Sequence, residues 1–269
     1  MFFAPLVIAI LLGLVEGVTE FLPVSSTGHL IVVGSVLEFT GQRAATFEIV
    51  IQLGAILAVV WHYRATLWSL VTRCLTGSAE RQLTANLALG FLPAAAIGLV
   101  AHDWIKANLF SPITVAAALV IGGVIMLVLE WVRPIVTAPG VGEITRWQAF
   151  GIGCAQVLAM IPGTSRSAAT ILGGYGLGLS RSAATEFSFL LAIPTIIGAA
   201  GLDLVKSRDL LSSADVPMFV VGTLVAFVSA LAVIRGFLRF IERHSFAVFA
   251  WYRIAFGGLL FLLFALRVM

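Results

Sequence analysis

Long apolar runs separated by short polar connectors dominate the chain. Six of them, roughly 46–63, 83–101, 113–131, 184–204, 216–234 and 246–266, predict membrane-spanning helices, because a crossing needs about 20 apolar residues and tolerates ~17. Polar or proline-containing connectors bound them, as at 64–81, 102–112 and 203–215. Two further regions are apolar but broken. Residues 6–37 are interrupted by Glu16, Thr19, Glu20, Pro23, Ser25, Ser26, Thr27 and His29, and residues 148–179 by Pro162, Thr164, Ser165, Arg166 and Ser167. Membrane interiors tolerate such polarity only where protein or a water-filled cavity covers it, so each region predicts a re-entrant helix-turn-helix hairpin. The expected fold is therefore all-α and polytopic, with six transmembrane helices and two re-entrant hairpins in a single membrane domain, residues 1–269.

The two halves echo each other. A shift of 139 residues places Pro23-Val24-Ser25-Ser26-Thr27 on Pro162-Gly163-Thr164-Ser165-Arg166, and the same shift places Ala44-Ala45-Thr46 on Ala183-Ala184-Thr185. Each half, 1–133 and 140–269, then holds one hairpin followed by three spans. Three is odd, so the second half enters the membrane from the opposite side. This predicts an inverted-topology repeat, whose broken helices meet near the midplane to form a site.

Composition narrows the function classes. Of 269 residues, 60% are hydrophobic and 11% charged, less than half the ~25% charged residues of a soluble domain. A mean hydropathy of +1.08 points the same way. A soluble enzyme, a disordered chain and a disulfide scaffold are thereby disfavoured, and Cys74 and Cys154 read as free thiols because they show neither zinc spacing nor a framework. The net charge of +3 is spread through short loops, which suits membrane orientation and not nucleic acid, since the latter wants a clustered basic face. Residues 2–15 are apolar, but no Lys or Arg precedes Arg43, so this stretch is expected to be mature protein and not a signal peptide. With the first full span running inward, one side carries Arg64, Arg73, Arg81, Arg133, Arg146, Arg181, Arg235, Arg239 and Arg243, and the other Arg43, Lys106, Lys206, Arg208 and Arg267. Nine against five favours the first set as cytoplasmic and both termini outside.

The chemistry concentrates in the two breaks. In Glu16-Gly17-Val18-Thr19-Glu20-Phe21-Leu22-Pro23-Val24-Ser25-Ser26-Thr27-Gly28-His29, the carboxylates of Glu16 and Glu20 are spaced i, i+4 and share a helix face. Side by side in a low dielectric they repel unless a cation or donor compensates. A hard divalent ion held by one or two carboxylates plus substrate phosphate is a natural solution; a pair solvated at a helix end is the bland reading. Pro23 stops one helix, and Ser25, Ser26 and Thr27 are N-cap types that start another, which makes an anion site, phosphate above all. His29 follows Ser25 by four residues and Ser26 by three, so either hydroxyl can pair with the imidazole for proton transfer.

The partner motif is Pro162-Gly163-Thr164-Ser165-Arg166-Ser167. Gly163 lets a backbone approach closely and the hydroxyls again cap a helix start. Arg166 is the only basic residue in 147–180, and its planar fork suits a phosphate bidentately; a simple counter-charge to Glu16 or Glu20 is the structural alternative. Glu48, Gln52 and Glu186 are weaker candidates, as ready to cap or anchor as to catalyse. His62, His102 and His244, with Trp61, Tyr63, Trp104, Trp131 and Trp251, read as interfacial.

At these motifs, and through Thr46-Phe-Glu48-Ile-Val-Ile-Gln52-Leu-Gly and Glu186-Phe-Ser-Phe-Leu-Leu-Ala-Ile-Pro194, the sequence closely resembles the bacterial undecaprenyl-diphosphate phosphatases of the bacitracin-resistance type. The resemblance covers essentially the whole chain. It implies hydrolysis of the terminal phosphate of undecaprenyl diphosphate, which recycles the lipid carrier of peptidoglycan synthesis, in the bacterial plasma (inner) membrane with the site opening outward. It also implies a divalent metal cation, Mg²⁺ or Ca²⁺, and leaves a homodimer open. Carried over, Ser26, His29, Glu20 and Arg166 are expected to be catalytic. Ser25, Thr27, Gly163, Thr164, Ser165 and Ser167 are expected to bind substrate, and Glu16 with Glu20 to hold metal. Whether Ser26 or a water attacks stays open. The competing class is a transporter or flippase of an anionic polyprenyl lipid, which the inverted repeat itself suggests.

Overall fold

The structure, a computed structural model, describes residues 5–109, 111–206 and 215–266. Among the described residues six helices are long and apolar enough to cross a membrane: α3 (Gln42–His62), the first part of α5 (Ser78–Leu109), α6 (Pro112–Val132), α9 (Arg181–Lys206), α10 (Val216–Ile241) and α11 (Ala247–Ala265). The broken regions form two helix pairs, α1 (Pro5–Thr19) with α2 (Ser26–Val36), and α7 (Arg146–Val157) with α8 (Arg166–Gly176). A single turn of 3₁₀-helix, Leu158–Met160, ends α7. Fifteen residues is the longest of these four helices, about 22 Å at 1.5 Å per residue, too short for a core of about 30 Å. Each pair packs side by side, as re-entrant hairpins would.

Two connectors differ from expectation. Residues 64–81 contain a helix, α4 (Arg64–Arg73), because no glycine or proline interrupts 64–76 and Leu67 and Leu70 find a core beside Leu83. The helix of the second span runs on to Leu109 through the predicted connector 102–112. α10 likewise extends to Ile241, beyond the expected 234. Of the 203–215 connector, residues 207–214 lie outside the described residues, as do Arg208, Arg267 and the side chains of His102, Lys106 and Lys206.

Packing partners exchange in register between the halves. α1 lies on α10 and α7 on α5, while α3 packs on both α9 and α10, α5 on α9, and α6 on α11. The close approaches also correspond. A methyl group on Gly13 would stand 2.5 Å from the carbonyl oxygen of Gly222, and one on Gly153 would stand 2.6 Å from that of Gly90. The gapless shift of 139 does not survive the turns. Ser25 caps α2 and Ser165 caps α8, a shift of 165 − 25 = 140, because Thr164 adds one residue to the second turn. Arg166 therefore corresponds to Ser26, each the first helical residue after its cap.

Loops gather at two ends. At one, Glu130 of α6 accepts from Arg181 of α9 (Nε at 2.9 Å and Nη2 at 2.5 Å) and from the Phe246 N–H at the head of α11 (2.7 Å). At the other, Arg43 of α3 pairs with the buried Asp215 before α10.

The two breaks are tied together from α11. Arg253 is completely buried, yet among the described residues no carboxylate pairs with it. Its guanidinium donates instead to backbone carbonyls: Pro23 at 3.2 Å, Gly163 at 3.2 Å, Ala118 at 3.0 Å and Leu119 at 3.3 Å. The first two belong to the two turns. A buried carbonyl left unpaired costs roughly 1–3 kcal/mol, and a lysine ammonium lacks the planar spread to reach both turns. Arg253→Lys should therefore lower the melting temperature of the detergent-solubilised protein by at least roughly 5 °C. A Lys variant as stable as the parent would show that the fork is dispensable.

Candidate active site

The two helix starts are built alike. Ser25 holds φ 72° and its hydroxyl accepts the Gly28 N–H at 3.4 Å; Ser165 holds φ 72° and accepts the Ala168 N–H at 3.2 Å. Positive φ at a residue with a Cβ is strained by roughly 1–3 kcal/mol, and here it turns the chain sharply from the break into the helix. Gly163, at φ 91°, has no such Cβ; one would press to 2.5 Å from the Val115 carbonyl oxygen.

Side chains then join the motifs. Glu20, buried just beyond the end of α1, accepts from Ser26 Oγ at 2.7 Å on one carboxylate oxygen and from Arg166 Nη2 at 3.1 Å on the other. Arg166 also donates through Nη1 to the Ser188 carbonyl (3.1 Å) and hydroxyl (3.5 Å), and its guanidinium lies 5.7 Å from the Phe21 ring centroid. Thr170 backs Ser188, hydroxyl to hydroxyl, at 2.6 Å. The Ser167 hydroxyl donates to the Leu22 carbonyl at 2.8 Å. These bonds surround a polar cavity of ≈ 130 Å³ lined by Glu20, Ser25, Ser26, Thr27, Gln52, Pro162, Gly163, Ser165 and Arg166, together with Ala159.

Most of the predicted site residues thus converge on one cavity, and several are placed differently from expectation. Ser26 gives its hydrogen to Glu20 and not to His29. The His29 ring is drawn to α11 instead, with Nδ1 at 2.7 Å from the Ser25 carbonyl oxygen, Nε2 at 2.5 Å from the Tyr252 hydroxyl and Phe256 stacked at 4.4 Å. Ser167 is fully buried and committed to Leu22 and Ser165, so it ties the motifs together behind the cavity. Neither Ser167, Thr164 nor Glu16 lines the cavity wall. Gln52 does, although its residue type alone argued little. Arg253, Tyr252 and Ser188 were missed from sequence. An arginine in the middle of the last apolar run was the signal for Arg253, because a charge at that depth marks function by default.

A divalent cation fits the carboxylates present. One oxygen of the fully buried Glu16 has no hydrogen-bond partner, and Glu20 lies one turn further on at the cavity. Hard oxygen donors of this kind suit Mg²⁺ or Ca²⁺ when substrate phosphate completes the shell. Among the described residues no group of three or more His, Cys, Asp or Glu is arranged to hold a metal without such help.

The chain has relatives by sequence. The family model described as bacitracin resistance protein BacA matches residues 9–259. Undecaprenyl-diphosphatase 1 of Pseudomonas fluorescens (strain Pf0-1) is 55% identical over 249 residues, covering 93% of this chain and 90% of that protein. Undecaprenyl-diphosphatase 2 of the same strain is 53% identical over 251 residues, with 93% and 91% covered. Undecaprenyl-diphosphatase of Pseudomonas aeruginosa (strain UCBPP-PA14) is 52% identical over 252 residues, with 94% and 91% covered. Matched along nearly its whole length and through both breaks, the chain belongs to the bacitracin resistance protein BacA family.

Proposed function

We propose that this multi-pass membrane protein is an undecaprenyl-diphosphatase, hydrolysing the terminal phosphate of undecaprenyl diphosphate to release undecaprenyl phosphate and inorganic phosphate. One observation carries the reading: Ser26, Glu20 and Arg166 form a continuous hydrogen-bonded chain across the two helix starts, around a cavity of phosphate size. A carrier of an anionic lipid needs no hydroxyl committed to a carboxylate. A second cavity, apolar and ≈ 510 Å³, runs between α1 and α11 along Leu14, Val15, Val18, Leu22, Val24, Val248 and Phe249. Val24 and His29 line this groove while Ser25 to Thr27 line the polar cavity, so the start of α2 separates a place for an isoprenoid tail from a place for its diphosphate.

The proposed steps follow from the hydrogen bonds. The first turns of α2 and α8 present N–H groups and hydroxyls to the terminal phosphate, where a helix N-terminus favours negative charge. Arg166 exchanges part of its pairing with Glu20 for phosphate oxygens and stabilises charge as the bridging bond breaks. Glu20, relieved of that partner, accepts the Ser26 proton as Oγ attacks phosphorus, and undecaprenyl phosphate leaves. Water then hydrolyses the phosphoserine and the proton returns to Ser26. A divalent cation held by Glu16 and Glu20 would neutralise the diphosphate. The inverted repeat builds the site by bringing the two breaks together. The arginine-rich end faces the cytoplasm of the inner membrane and the site opens to the periplasm, a direction supported by the excess of arginines at that end.

Three outcomes test this reading. Arg166→Lys keeps the charge but loses the fork, and kcat for phosphate release from purified undecaprenyl diphosphate should fall on the order of 100-fold; a Lys variant with parental kcat makes Arg166 a mere counter-charge. Ser26→Ala should leave under about 1% of the rate, and acid-quenched wild-type enzyme should carry phosphate on Ser26. Sustained turnover of the Ala variant in ¹⁸O-water, with label in the phosphate, would assign the attack to water. Finally, chelation should abolish turnover and Mg²⁺ or Ca²⁺ restore it, whereas Glu16→Gln should demand at least tenfold more metal for half-maximal rate. A metal requirement identical to wild type removes Glu16 from the metal.

A further inference from the structure

His29 and Tyr252 meet at the seam of the two cavities. Both line the apolar groove between α1 and α11, while the residues just before His29 line the polar cavity. His29 Nδ1 lies 2.7 Å from the Ser25 carbonyl oxygen. A carbonyl can only accept, so Nδ1 carries the hydrogen, and in the neutral ring the lone pair belongs to Nε2. Nε2 is 2.5 Å from the Tyr252 hydroxyl, which is therefore its donor. The imidazole is held on its face as well, with Phe256 stacked at 4.4 Å and 20°. Tyr252 is 44% exposed and lines the apolar groove.

We propose that Tyr252 is a positioning residue for His29, holding the ring in the Nδ1–H tautomer by donating its hydroxyl hydrogen to Nε2 at the junction of polar cavity and apolar groove. That junction is where the lipid-proximal phosphate of a polyprenyl diphosphate must lie if its terminal phosphate occupies the polar cavity and its tail the groove. The phenol and imidazole thus stand as one hydrogen-bonded pair at the seam, which a diphosphate seated across it meets and a free inorganic phosphate in the polar cavity does not. The kinetic part of this inference rests on the phosphatase reading above; the tautomer part does not.

The test uses the full chain and the variant Tyr252→Phe, which keeps the ring and removes the hydroxyl. In ¹⁵N-histidine-labelled protein, with the His29 signals assigned by their loss in His29→Ala, the parent should show a protonated Nδ1 and an unprotonated Nε2. Tyr252→Phe should shift the Nε2 resonance towards that of a non-hydrogen-bonded ring nitrogen. With undecaprenyl diphosphate, kcat should fall about tenfold, since a small misplacement of a group beside the reacting phosphates costs rate, with KM changed less than twofold. Identical His29 spectra in parent and variant, or a protonated Nε2 in the parent, would overturn the assignment. So would a shifted spectrum with unaltered kcat, or an effect confined to KM. Should the protein release no phosphate at all, the phosphatase reading fails while the spectra still decide the tautomer.

Discussion

Everything in the site hangs on backbone carbonyls that two broken helices cannot satisfy by themselves. A helix interrupted inside an apolar bundle exposes groups that lipid cannot bond. Here Arg253 reaches from α11 to the carbonyls of Pro23 and Gly163 at once, so one buried cation fixes the distance between the two turns. A carboxylate in its place among the carbonyls would repel them; an apolar residue would leave them bare. The guanidinium, weakly hydrated and rich in donors in one plane, suits that position. The positive charge it brings also lies close behind the cavity in which a diphosphate is proposed to bind, where low dielectric makes it count.

With the turns fixed, Glu20 couples the halves electrostatically. Its carboxylate sits between a hydroxyl from α2 and a guanidinium from α8. A phosphate bearing two negative charges is a competitor for Arg166. In the proposed mechanism substrate arrival frees the carboxylate as it fills the cavity, so the base is released only when there is something to attack. Ser188 and Thr170 keep the arginine from following the substrate out of position. The small residues that bring α1 onto α10 and α7 onto α5, Gly13 with Gly222 and Gly153 with Gly90, do the same work at longer range by letting backbones touch.

Much of this was legible in the sequence because membrane physics leaves few options. Six apolar runs became six helices, and both polar interruptions became helix breaks, since neither could be a span. Boundaries followed less well: α4 and the extensions of α5 and α10 arise from packing and interfacial helix formation that hydropathy does not register. The motif residues assembled as a group, yet their pairings did not follow from spacing. Ser26 and His29 are one turn apart, but Glu20 bends back across the turn to take the serine, and Tyr252, more than 200 positions downstream, takes the histidine. The off-by-one between the halves has the same origin, because cap geometry at Ser25 and Ser165, and not residue identity, decides which positions correspond. Tyr252 and Ser188 carried no local signal, since a tyrosine or serine in an apolar helix is unremarkable until its neighbour is known.

The central claim is that both helix starts close on a single phosphate of a polyprenyl diphosphate whose tail leaves between α1 and α11. An experimental structure of the protein with a non-hydrolysable methylene-diphosphonate analogue of the lipid tests it most directly. The account predicts the terminal phosphonate within hydrogen-bonding distance of Ser26 and Thr27 on one side and of Ser165 and Arg166 on the other, with Arg166 turned at least partly from Glu20 and the tail along Val18 and Phe249. A phosphonate held by only one of the two helix starts, or a tail leaving by another face, would contradict it.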